Sequence, residues 1–162
     1  MTTRPGRAWA LLVAAVLVQT ALGVVWPSLV WMPDLIGAVV IATALEHDRS
    51  TSLLVGLAAG AWQDLSLGRL IGLHTSLWAV TGYAVSSLRI RMGSDSWLVT
   101  IWMALAVLVA ERLGEWVVLT LVGVAVAPLI VLLGASVVTV PFVLLFRRLM
   151  RVGRSGLRRA IP

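Results

Sequence analysis

The sequence predicts an all-α protein, a polytopic bundle of six transmembrane helices. Three observations predict it. The 162-residue chain is 60% hydrophobic and only 12% charged, whereas soluble domains lie nearer half apolar and a quarter charged. Apolar runs close to the roughly 18–20 residues that a bilayer crossing needs recur from end to end. All 13 basic residues are arginine, and most of them fall at the chain ends and in alternate connections, as topology signals do.

The spans are expected at 8–25, 28–45, 52–67, 71–89, 97–123 and 128–147, followed by a basic cytoplasmic tail at 148–162; together they make one transmembrane domain. The first run, Trp9 to Val25, follows Arg4 and Arg7 as a signal peptide would. No small-residue cleavage site precedes Trp26-Pro27 and a second long run follows at once, so it reads as an uncleaved helix. Trp26-Pro27-Ser28 is a tight turn. Glu46-His47-Asp48-Arg49-Ser50 is a polar loop, with Ser50 or Thr51 as candidate caps of the third helix. Leu67-Gly68-Arg69 is a turn, Arg91 to Ser96 a loop, and Pro128 suits the first turn of the last helix. The fifth span is the awkward one. It is about 40 Å long if helical throughout and carries Glu111-Arg112-Leu113-Gly114-Glu115. It must tilt, project outward or break near Gly114.

With the N-terminus inside, eleven arginines lie on the inner side, Arg69 alone on the outer side and Arg112 within a span. Both termini are then cytoplasmic. Trp9 and Trp97 fall near the inner interface, and Trp26, Trp31 and Trp116 near the outer one, as aromatic belts do. Arg147, Arg148 and Arg151 read as inner-face contacts to lipid headgroups.

On this map Asp34, Asp64, Arg69, His74, Glu111, Arg112 and Glu115 converge on the outer half of the membrane, with Gln63 beside them, and the inner half holds no ionisable side chain. Ionised groups facing lipid cost several kcal/mol each, so these should face one another, water or a partner. The bland reading is bonding between helices; the sharper one is an outer cavity or partner contact. Ser52, Gly56, Gly60 and Asp64 recur every fourth residue along the third span. In the fourth, Gly72, Thr75, Ser76, Ala79, Gly82 and Ser86 form a small or polar face. Gly56, Gly60, Gly72 and Ser76 are therefore expected to pack these two helices tightly together.

The absence of cysteine excludes disulfides, thiolate metal sites and cysteine nucleophiles. His74 has no second histidine at ligand spacing, so no metal or other cofactor is expected. No GxSxG, HExxH or phosphate-binding loop occurs, and Ser66 with His74 is a weak case for an intramembrane hydrolase. Arginines beside spans do not make a nucleic-acid surface.

Met32-Pro33-Asp34-Leu35, a short polar loop, Gly56, Gly60, Gln63-Asp64, Gly68 and Gly72-Leu73-His74, in that order and spacing, resemble the MreD family of rod shape-determining membrane proteins. The similarity is best over residues 32–92, and the length and span count extend it to the whole chain. The resemblance implies a non-enzymatic scaffold of bacterial cell elongation in the inner membrane. It also implies MreC as the main partner, with MreB, RodA and a class B penicillin-binding protein in the same peptidoglycan-synthesis assembly. The family is also similar, more distantly, to the six-helix S-components of energy-coupling-factor transporters, whose pockets open outward. That leaves a small-molecule-binding transport subunit as the alternative function.

Overall fold

The structure, a computed structural model, describes residues 5–25, 31–68, 70–92, 96–124 and 128–158. It contains six helices: α1 (Gly6–Val25), α2 (Leu35–Glu46), α3 (Arg49–Leu67), α4 (Leu73–Met92), α5 (Trp97–Leu121) and α6 (Leu129–Arg158). No strand occurs among the described residues.

By length and composition α1, α5 and the Leu129–Arg151 part of α6 are fit to cross a membrane. The other three depart from the simple picture of six equal spans. α2 has only 12 residues, about 18 Å of helix, and starts at Leu35 rather than 28. Asp34 sets that start: its side chain accepts the amide of Gly37 and caps the helix. α3 and α4 are 19 and 20 residues long, but glycine, serine and threonine dilute their apolar content. The helix α5 is continuous through Gly114 and ends at Leu121, where Gly123 takes a positive φ of 78°. α6 continues past residue 147, so the expected boundary of the basic tail lies inside a helix. The Trp26-Pro27-Ser28 turn, Arg69 and residues 93–95 of the fourth loop lie outside the described residues.

The short helix α2 is the centre of the fold. Every residue from Leu35 to Glu46 is buried, against α1, α3, α4 and α6. Large apolar side chains on the outside, such as Val13, Leu17, Val80 and Ile130, are what a lipid-facing surface requires. Lipid tails are as apolar as leucine, so burial alone does not drive these helices together; close packing and interhelical hydrogen bonds must.

Close packing is most evident between α3 and α4. A methyl group on Gly56 would collide with the Trp78 carbonyl, and one on Gly60 with the His74 carbonyl and the Thr75 Cα. On Gly82 it would strike the Ser52 carbonyl. Backbone therefore lies directly on backbone. Gly72 and Ser76 do not share this contact. Gly72 is exposed, has open space around its Cα and takes φ +98° in the turn before α4, so its role is conformational. Ser76 is exposed and returns its hydroxyl to the carbonyls of Gly72 and Leu73. The face of α4 that meets α3 passes through Ala79, Gly82 and Ser86 instead, all of them buried.

At its start α3 is capped by Asp48 rather than Ser50 or Thr51. The Asp48 carboxylate accepts from the Thr51 amide (3.1 Å) and hydroxyl (2.7 Å), and these bonds hold its pKa below the usual carboxylate value. A carboxylate suits this position because it bonds an orphan amide and also faces the positive end of the helix dipole.

Candidate functional site

The site grows from the α3–α4 turn. Gly68 ends α3 in the left-handed conformation, with its amide on the Asp64 carbonyl. The chain reverses and the first turn of α4 presents its amides to the Asp64 side chain. One carboxylate oxygen of Asp64 accepts from the His74 amide (2.9 Å). The other accepts from the amides of Gly72 (2.8 Å) and Thr75 (3.0 Å) and from the Thr75 hydroxyl (2.6 Å). Asp64 thus caps a helix from outside it, satisfying amides that an α-helix cannot satisfy itself. His74 Nδ1 lies 3.0 Å from the same carboxylate. A carboxylate can only accept, so that nitrogen carries the hydrogen.

A second branch starts at Trp78, which is fully buried. Its indole N–H donates to Gln63 Oε1 (2.6 Å), and the Gln63 amide nitrogen lies 3.3 Å from Asp34 Oδ1. Indole only donates and carboxylate only accepts, so this pair fixes which way the Gln63 amide points. Asp34 also accepts from the Gly37 amide (2.8 Å), while its own amide donates to Thr139 of α6 (2.9 Å).

Arg112 joins the branches. Its guanidinium donates to Asp34 Oδ2 (2.8 Å) and Glu115 Oε2 (2.9 Å), and its Nε lies 3.4 Å from Glu111. Glu115 Oε1 lies 3.6 Å from His74 Nε2. One polar network therefore links α2, α3, α4, α5 and α6 near a single end of the bundle. It contains Asp34, Gln63, Asp64, His74, Glu111, Arg112 and Glu115; Arg69 lies outside the described residues. Nearly all of these groups are spent on one another, which is what a low-dielectric interior demands.

His74, Glu111 and Glu115 present possible ligand atoms within 4.8 Å of one another. The Arg112 guanidinium already bonds Glu115 and sits beside Glu111, so a cation there would meet a fixed positive charge. The donor set does not fit a metal well.

The opposite end corrects two expectations. It is not free of buried charge, and Arg147 is not a lipid contact. Glu46, the last residue of α2, is 3% exposed and Arg147 is 6% exposed. Glu46 Oε1 accepts from Arg147 Nε (2.9 Å) and Arg151 Nε (2.6 Å), and Arg147 also donates to the Thr100 hydroxyl of α5. Arg148 is exposed. The missed signal was spacing: Arg147 and Arg151 are four residues apart, on one face of a helix, and that face turns toward α2. Trp78 was missed because a tryptophan inside an apolar run reads as one more lipid-facing residue.

The 19-residue α3, with its two backbone-contact glycines and Asp64 turned back onto His74, carries several of the residues on which the sequence resemblance rests. The family model for the rod shape-determining protein MreD matches residues 4–152, almost the whole chain. The chain belongs to the MreD family. No curated protein and no solved structure matches it significantly, so the similarity to transporter S-components gains no support. As an MreD-family protein the chain is a rod shape-determining membrane protein, and Asp34, Gln63, Asp64 and His74 all lie in one network.

The Asp64 cap yields the first expected result. Asp64→Asn places an NH2 group where the acid has an oxygen facing N–H donors. A loss of about 1–2 kcal/mol is expected for the donors left without an acceptor, read as a lower midpoint in detergent unfolding.

Proposed function

We propose that the protein is a non-enzymatic scaffold of the bacterial cell-elongation complex. By this reading it lies in the inner membrane as a single domain with both termini cytoplasmic, binds MreC, and helps organise peptidoglycan synthesis with RodA, a class B penicillin-binding protein and MreB. The observation that carries the proposal is the family match over residues 4–152. The network supports it: Asp34, Asp64, Arg112 and Glu115 bond mainly to groups of the same chain, as in a rigid frame. The alternative, a transport subunit binding a small molecule, would need those groups turned toward a ligand.

Co-purification from membranes with the MreC-like protein of the same genome tests the reading. A stoichiometric complex is expected, together with loss of rod shape when the chain is depleted. Failure of the intact chain to retain the MreC-like protein, with cell shape unchanged on depletion, would refute it.

A further inference from the structure

Between α4 and α5 lies a cleft of about 350 Å³. Leu77, Val80, Ala84 and Leu88 form one wall, and Val107 and Ala110 part of the other. From Ser76 to Leu88 the cleft follows α4 for about 18 Å, some three helical turns. Contact between α4 and α5 is thin compared with that between α3 and α4, so the two helices splay where the cleft runs.

One charged group lines it. Glu111 sits in the cleft wall with both carboxylate oxygens buried and accepting no hydrogen bond. Arg112 is beside it, with Nε at 3.4 Å, but its other nitrogens are committed to Asp34 and Glu115. The other three carboxylates of the network, Asp34, Asp64 and Glu115, each accept hydrogen bonds, so Glu111 is the acid there that is left without a donor. A buried acceptor without a donor costs about 1–3 kcal/mol. An acyl chain could fill the apolar walls but has no donor to offer. Inside a bilayer the segment that brings a side-chain donor without exposing its own backbone is a helix. The small residues Ser76, Ala84 and Ala110 allow close approach by such a helix.

We infer that the α4–α5 cleft receives a membrane-spanning helix of a second protein, and that this helix carries on its apolar face a hydrogen-bond donor that meets Glu111. The inference rests on the scaffold reading and assigns the surface on which the partner docks. The donor lies toward the end of the partner helix that is level with Ser76 and Glu111.

The chain has no cysteine, so single cysteines report unambiguously. Cysteine is placed at Val80 or Ala84 on the cleft, or at Leu17 of α1 or Val137 of α6 as controls. Each variant is co-expressed with the MreC-like protein carrying a cysteine scan of its membrane helix, and then oxidised. Disulfide adducts from Val80 and Ala84, at least tenfold above the controls and recurring along the partner with helical period, are expected. Glu111→Leu is expected to fold and to retain at least tenfold less partner, and Glu111→Gln, which still accepts a bond, to retain more than Glu111→Leu. Full co-purification with adducts at Leu17 or Val137 but not at the cleft would overturn the docking surface while leaving the scaffold reading intact. So would adducts only to a second copy of this chain, or full partner retention by Glu111→Leu. Loss of co-purification in the unmodified chain would remove the scaffold reading and this inference together.

Discussion

Arg112→Met is expected to cost about 3–5 kcal/mol of stability, the largest loss from any single charge in the protein. The guanidinium stands among three carboxylates. It donates to Asp34 and Glu115 at 2.8 and 2.9 Å and lies 3.4 Å from Glu111. All three acids are buried, so water cannot replace the lost charge. Methionine fills a similar volume but takes the charged donor away from both Asp34 and Glu115. Asp34 caps α2 and holds Gln63, so the damage reaches the central helix. Arg112→Lys is expected to recover part of the loss. A lysine matches the charge but cannot present a planar fork to two acids on different helices. Equilibrium unfolding in mixed micelles measures both. An Arg112→Met midpoint within error of the parent would show that the three acids do not depend on the guanidinium. In the double variant with Asp34→Asn the two losses should not fully add, because both substitutions remove the same Arg112–Asp34 bond.

The legible and illegible parts of this fold differ in physical kind. Helix number and order followed from apolar runs broken by polar residues. Backbone contact along α3 followed from Gly56 and Gly60 at a spacing that has one structural use. The cluster of acids near one end followed from the intolerance of lipid for charge. What could not be read was which charge finds which. Arg112 looked paired within its own helix, with acids at i−1 and i+3, whereas its shortest bond crosses to Asp34, 78 residues away. Glu46 looked like a loop residue because its neighbours His47, Asp48 and Arg49 are polar. It is buried because α2 is short and ends inside the bundle, where α6 brings Arg147 to it. The length of α2 was itself hidden, since residues 28–45 are mostly apolar and the Asp34 cap is what marks where the helix begins. Gly72 shows the same limit from the other side. It sits among small residues that suggest packing, but its φ of +98° serves the turn.

Gly60→Leu and Gly114→Ala should move stability in opposite directions, although both replace a glycine inside a helix. In an exposed helix interior glycine costs about 0.5–1 kcal/mol relative to alanine, so filling open space helps. Gly114 is half-buried but has the space: the nearest atom to an added methyl is the Leu77 Cδ2 at 3.5 Å, an ordinary contact with a flexible side chain. Gly114→Ala should raise the free energy of unfolding by up to about 1 kcal/mol, read as a higher unfolding midpoint. At Gly60 even a methyl group would collide with the His74 carbonyl and the Thr75 Cα. Those atoms are backbone and cannot rotate away, so α4 must move as a body. Overpacking that forces a backbone shift costs about 1–3 kcal/mol and occasionally more, and a leucine against backbone belongs at the upper end. The displacement also draws the amides of Gly72, His74 and Thr75 off the Asp64 carboxylate, so the loss in Gly60→Leu should largely include that of Asp64→Asn. Added to Gly60→Leu, Asp64→Asn should therefore cost markedly less than it does alone. Strict additivity in the double variant would mean that the glycine contact and the Asp64 cap hold α4 independently.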